Sequence, residues 1–266
     1  MDNHILIRNN VKVFGEGTQP ILFAHGYGCD QKMWRFITPA FTQKYKVVVF
    51  DHLGSGESDA AAYDFDKYNH LSGYAEDLVE ICEALSLENT ILVGHSVSSI
   101  VGALAVAMNP DLFDQLIMLG PSPRYINDGD YFGGFDQQDI DGLVQTLEAN
   151  YLGWSSFITP VIIGNPDKEE FATELKNSFC SMAPDIAKHF AKVTFVGDYR
   201  ENLLSVTTPT LIIQSHPDAI APVEVGKYVH ANIPGSQYVE IASSGHCPHL
   251  TSPELVISAI NTYLKN

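Results

Sequence analysis

Short runs of apolar residues, rich in β-branched side chains, recur at 21–24 (Ile-Leu-Phe-Ala), 47–50, 91–93, 116–119, 211–213 and 238–241. Each is too short for a helix, and most run into glycine, aspartate or serine, which predicts buried central strands. The opening stretch, 5–14, reads as an antiparallel hairpin. Between the strands the period changes. Leu78, Ile81, Cys82 and Leu85 share one helical face over 74–85. Residues 97–108 are small and apolar almost all round, as a helix buried on most sides must be. That helix should stop before Asn109-Pro110, because proline disfavours helical geometry in the residue before it. Stretches 222–231 and 253–264 begin with proline, which suits a first helical turn. Such alternation predicts an α/β fold with a mostly parallel sheet flanked by helices.

The alternation stops between 127 and 199, where no convincing strand occurs. Instead Ile140, Leu143, Val144 and Leu147 stand at i, i+3, i+4 and i+7. Stretches 151–163, 168–182 and 185–196 are helical in pattern too. The expected organisation is a core of residues 1–126 and 200–266, with 127–199 inserted as a cap of four helices over the C-terminal edge of the sheet. No repeat, low-complexity tract or flexible linker is present.

Composition narrows the partners. The 266 residues are 45% hydrophobic and 18% charged, ample for a core, and the formal net charge is -17. So acidic a surface repels phosphate backbones and anionic headgroups, so neither nucleic acid nor a membrane is an expected partner. No apolar run approaches the ~20 residues of a spanning helix, and residues 1–5 carry no basic segment leading into a signal sequence. Cys29, Cys82, Cys180 and Cys247 form no CxxC pair and no zinc-ligand spacing. Reduced thiols and a cytoplasmic location are the expectation.

The chemistry gathers at strand ends. The run 91–93 leads directly into Gly94-His95-Ser96-Val97-Ser98 and then into the apolar helix. Strand, tight turn and helix are the context in which a serine becomes an exposed nucleophile. Ser98 stands where that motif has its second glycine, so the literal pattern is incomplete. A serine hydroxyl needs a base, and the base needs an acid to orient it. Asp218 follows the strand at 211–213, and His246, preceded by Gly245, follows the strand at 238–241. His249, three residues on, is the weaker candidate for the base. Asp185 and Asp198 belong to the inserted helices, whereas the acid should be fixed on the sheet. The developing oxyanion needs donors, and the backbone N–H groups of Tyr27, in His25-Gly26-Tyr27-Gly28, and of Val97 are the expected pair. His25 and His95 either line a pocket or serve structure, and His52, His216 and His230 are expected in solvent. Residues 51–58 hold two glycines after a strand but lack the lysine of a phosphate loop. No cofactor and no metal are called for.

Gly94-His95-Ser96-Val97-Ser98, with 25–31 (His-Gly-Tyr-Gly-Cys-Asp-Gln) and Gly245-His246-Cys247-Pro248-His249, resembles one branch of the α/β-hydrolase superfamily. That branch holds the bacterial stress-response regulator RsbQ and the plant karrikin and strigolactone receptors. The resemblance runs nearly end to end and includes 124–128, 131–135 and 184–187; Cys247 leans towards RsbQ. It implies an α/β-hydrolase fold with a V-shaped cap of four helices above a deep apolar pocket that ends at the serine. By matching position, Tyr27, Phe135, Trp154, Ile158 and Phe195 would line that pocket, although cap-to-core packing explains any one aromatic equally well. The implied activity is serine hydrolysis of a small hydrophobic ester or lactone. The implied alternative is a ligand sensor that signals to a partner phosphatase in a stress response. The same triad also serves cofactor-free haloperoxidases and C–C hydrolases, whereas dehalogenases and epoxide hydrolases need a carboxylate where Ser96 stands.

Overall fold

The apolar runs fold into β2 (Pro20–Ala24), β3 (Lys46–Val49), β4 (Thr90–His95), β5 (Phe113–Leu119), β6 (Thr210–Ser215) and β7 (Gln237–Ile241), joined by a short β1 (Lys12–Phe14). The computed structural model describes residues 3–265. The strands form one sheet in the order β1-β3-β2-β4-β5-β6-β7, parallel throughout except for β1 against β3. Strand side chains alternate between two cores. Ile21, Phe23, Ile91, Val93, Ile117 and Leu119 face one layer, while Leu22, Leu92, Leu116 and Met118 face the other.

Helices cover both faces: α2 (Leu71–Ala84), α3 (Val97–Met108) and α8 (Val223–Asn232), with the short α9 (Pro248–Thr251) and α10 (Pro253–Tyr263) near the C-terminus. Between β5 and β6 stand α4 (Gln137–Ala149), α5 (Tyr151–Ile163), α6 (Glu169–Ser181) and α7 (Pro184–Val196). Chain order reverses between β2 and β4, since β3 lies on one side and β5 to β7 on the other. At such a switch point the loops leaving the two strands diverge and open a crevice. Those loops carry Gly26-Tyr27 and Ser96.

Two expectations fail. The stretch 5–14 is not a hairpin: its first part is helix α1 (Asn3–Arg8), and only β1 is strand. The alternating pattern suits a strand, but the Arg8 guanidinium bonds the buried Asp77 carboxylate at 2.7 Å, which fastens α1 to α2. Tertiary contact overrides local preference here. The run 238–241 is a strand but not a central one. As the edge of the sheet, β7 has only Ile241 buried.

Candidate active site

Ser96 sits between the last residue of β4 and the first turn of α3 with φ 57° and ψ −124°. Only a few per cent of non-glycine residues hold positive φ, and the strain persists here because the surroundings fix both ends. The Ser96 amide donates to the Leu119 carbonyl of β5 at 2.8 Å. Gly94 is required because a Cβ there would lie 2.2 Å from the Ser98 carbonyl oxygen. The turn thus presents the Ser96 hydroxyl at the mouth of the crevice.

Two further loops converge on it. The Ser96 hydroxyl donates to His246 Nε2 at 2.7 Å, and His246 Nδ1–H donates to Asp218 Oδ2 at 2.7 Å. Asp218 Oδ1 accepts from the Ile220 and Ala221 amides at 2.8 and 3.1 Å, which fixes the carboxylate. All three side chains are buried. The loop before His246 leans on an inserted helix. The His246 amide donates to the Ile162 carbonyl of α5 at 2.8 Å, and a Cβ on Gly245 (φ 92°) would strike the Ile163 carbonyl at 1.9 Å. Asp185 and Asp198 lie elsewhere, on α7 and in an exposed ion pair with Arg200.

The loop after β2 packs against Ser96: a Cβ on Gly26 would come within 3.3 Å of Ser96 Cβ. The Tyr27 and Val97 amides take no part in the backbone hydrogen bonds of the described residues, so both remain available to a ligand. The Tyr27 hydroxyl donates to the Ala187 carbonyl of α7 at 2.9 Å, tying this loop to the inserted helices.

Ser98 explains the missing glycine. Its hydroxyl donates to the His25 carbonyl and accepts from His52 Nε2–H at 2.6 Å. His25 completes the knot, accepting from the His52 amide through Nε2 at 3.0 Å and donating through Nδ1–H to the Gly26 carbonyl at 2.9 Å. His52, expected in solvent, is wholly buried, and burial lowers both imidazoles below the usual histidine range. Polar loop composition around 51–58 concealed this. His216 and His230 are exposed as expected.

On the other side of Ser96, His95 Nε2–H donates to the His246 carbonyl at 2.8 Å. Burial and the neighbouring His249 and His246 keep His95 well below the normal range, and burial pushes His249 down to about 3.

Above Ser96 lies a cavity of about 90 Å³ with an almost wholly apolar lining. Tyr27, Phe135, Trp154, Ile158 and Phe195 all face it. Two polar groups there escaped the sequence reading. The buried Tyr125 hydroxyl stands in the same lining as Ser96, and burial pushes it up to about 12, so it stays protonated and able to donate. Thr194 Oγ1 on α7 is buried without a hydrogen-bond partner among the described residues. Thr194 lies in the helical stretch 185–196 with nothing local to mark it, and Tyr125 lies in the stretch 124–128 that carries the resemblance without a role attached.

The fold and this site belong together. The chain is a member of the alpha/beta hydrolase fold family, whose model matches residues 19–253. Within it, the chain is similar to the karrikin insensitive 2 receptor CA of Petunia hybrida, 41% identical over 95% of this chain and 94% of that one. It is also similar to the strigolactone esterase D14 of Arabidopsis thaliana, 37% identical over 94% of each. A solved hydrolase from Oleispira antarctica superposes with a TM-score of 0.97 at 41% identity, covering 99% of this chain and 97% of that one.

Proposed function

We propose that this protein hydrolyses a small hydrophobic ester or lactone, with Ser96 as nucleophile, His246 as base and Asp218 as orienting acid. What carries the reading is the pair of 2.7 Å hydrogen bonds at the floor of an apolar cavity. Ser96 Oγ attacks the carbonyl carbon while its proton passes to His246 Nε2, and the Asp218 carboxylate stabilises the imidazolium. The Tyr27 and Val97 amides receive the oxyanion, each worth about 3 kcal/mol if it acts like other such donors. The ester C–O bond then breaks, and the leaving oxygen takes the proton from His246. Water, deprotonated by His246, attacks the acyl carbon, and Ser96 regains its proton as the acid departs. Thr194 and Tyr125 supply the few polar contacts that orient a ligand in such a pocket. Relatives named as esterases favour the same reading.

Ser96→Ala is expected to reduce turnover of a short-chain activated ester by about 10⁴-fold or more. Retention of the wild-type rate would sink the assignment.

A second reading is favoured by the relative named as a receptor at 41% identity. In it the pocket captures or slowly turns over its ligand, and the inserted helices report this to a protein partner, with a regulatory phosphatase as the RsbQ-type case. Pull-down from the native host with wild type and Ser96→Ala separates the two. A partner retained by one form and not the other supports the sensor, and its absence in both supports a plain hydrolase.

A further inference from the structure

Beside His246, three soft or borderline donors meet. One ring nitrogen each of His95 and His249 and the Cys247 sulfur lie within 4.8 Å of one another. All three side chains are at least 98% buried. Because His95 uses Nε2–H to bond the His246 carbonyl, its Nδ1 carries a lone pair, and this Nδ1 has no partner among the described residues. His249 Nδ1 is likewise buried and without a partner. A buried polar atom left unbonded forfeits its hydration with nothing in return, so two in one cluster call for an occupant that accepts lone pairs.

We propose that His95, Cys247 and His249 form a binding site for a thiophilic divalent cation such as Zn²⁺ or Cd²⁺, and that its occupancy inhibits the neighbouring serine chemistry. Two neutral imidazoles and a thiol make a His₂Cys donor set, the kind that selects soft or borderline metals. His95 and Cys247 also line the cavity above Ser96, which gives the ion a route in and leaves its fourth position to water. Metal–nitrogen bonds of about 2.0 Å and metal–sulfur bonds of about 2.3 Å set ligand separations of about 3.5 Å, so the three side chains draw together by roughly 1 Å on binding. Binding expels the Cys247 proton to solvent, and the thiolate takes its place on the metal. Inhibition follows from position. Cys247 is the residue after His246, and His95 holds the His246 carbonyl, so any contraction of the cluster moves the imidazole that must reach Ser96 Oγ.

This inhibition rests on the hydrolase reading, but binding does not, and the experiment separates them. Cadmium chloride is titrated into the reduced protein, following thiolate-to-cadmium absorption in the ultraviolet and, in parallel, ester turnover. One equivalent per chain is expected, with turnover falling over the same concentrations as absorption grows. Cys247→Ala should lose the band, and His249→Gln should weaken binding at least tenfold. Cys180→Ala, altering an exposed cysteine, should leave binding unchanged. Ser96→Ala should bind as wild type does, which reads the site without any activity. Cys247→Ser, with circular dichroism of each metal-free variant, covers the case in which Cys247→Ala fails to fold. A band that survives in Cys247→Ala, vanishes in Cys180→Ala or never saturates in wild type overturns the site. Metal-insensitive turnover alongside saturable binding overturns only the inhibition.

Discussion

Two pairs of buried histidines flank Ser96, and they differ in a way that burial does not reveal. His25 and His52 lie on one side, His95 and His249 on the other, and burial lowers all four below the usual histidine range. In the first pair the hydrogen bonds close on themselves. His52 donates to Ser98, Ser98 to the His25 carbonyl, and His25 to Gly26, with His52 Nδ1 as the leftover atom. In the second pair one bond holds His95 to the His246 carbonyl, and the Nδ1 atoms of both rings are bare. A closed set of bonds fixes loops in place. The second set leaves two buried Nδ1 atoms unbonded in a cluster that also holds a thiol, which is what the proposed metal site rests on.

The comparison breaks most readily at Ser98. Ser98→Val keeps a small buried side chain but strips the His25 carbonyl and His52 Nε2–H of the hydroxyl that joins them. Each buried group left unpaired costs about 1–3 kcal/mol, so a loss of about 3 kcal/mol in urea unfolding is expected. Turnover should fall as well, because the freed loop carries the Tyr27 amide. A loss under about 1 kcal/mol would mean that apolar packing around Phe50 and Phe190, and not this knot, holds the two loops.

Acid sharpens the contrast next. The unfolded chain protonates its histidines near the ordinary value of about 6.5, while the folded chain resists. Below that pH the unfolded state binds more protons, so stability falls as pH falls, by up to about 1.4 kcal/mol per pH unit for each neutral histidine. For His249 the window runs from about 6.5 down to about 3. His249→Leu removes one such proton. Unfolding measured from about pH 6 to pH 4 should show a pH slope smaller by about one proton than wild type. An unchanged slope would mean that the native His249 is already charged.

Most of the fold was legible because the strands are buried on both faces and read as unbroken apolar runs, and because 127–199 repeats a helical period without a strand. Ser96, Asp218 and His246 were legible as candidates because each follows a strand at a place where only a loop residue is geometrically free. What escaped depends on contacts made far along the chain. Helix α1 is set by Arg8 reaching Asp77, the exposure of β7 by its place at the edge, and the burial of His52 by Ser98, 46 residues away. The role of Ser98 itself was hidden behind its mismatch with a glycine motif. Tyr125 stood in a stretch that carries the resemblance but had no role there, and Thr194 had no local signal at all, since a hydroxyl in a loop and a hydroxyl on a helix look alike whether or not they face a cavity.

The smallest effect tests the second pair directly. At neutral pH His249→Leu replaces a ring that holds an unbonded nitrogen with an apolar side chain of similar volume. It forfeits contacts with the Trp34 and His95 rings, whose centroids stand 4.9 and 4.3 Å away. It also removes an unsatisfied buried atom, whose desolvation the folded state otherwise bears. The two terms oppose each other, so metal-free stability should stay within about 1 kcal/mol of wild type, well short of the Ser98→Val loss. The discriminating measurement is the same unfolding experiment at about pH 7.5 with a chelator present, above the window in which histidine protonation contributes. A loss of about 3 kcal/mol there would place His249 in a closed network like that of His25 and His52. The asymmetry between the two sides of Ser96 would then disappear, and with it the argument that the second cluster is built for a ligand.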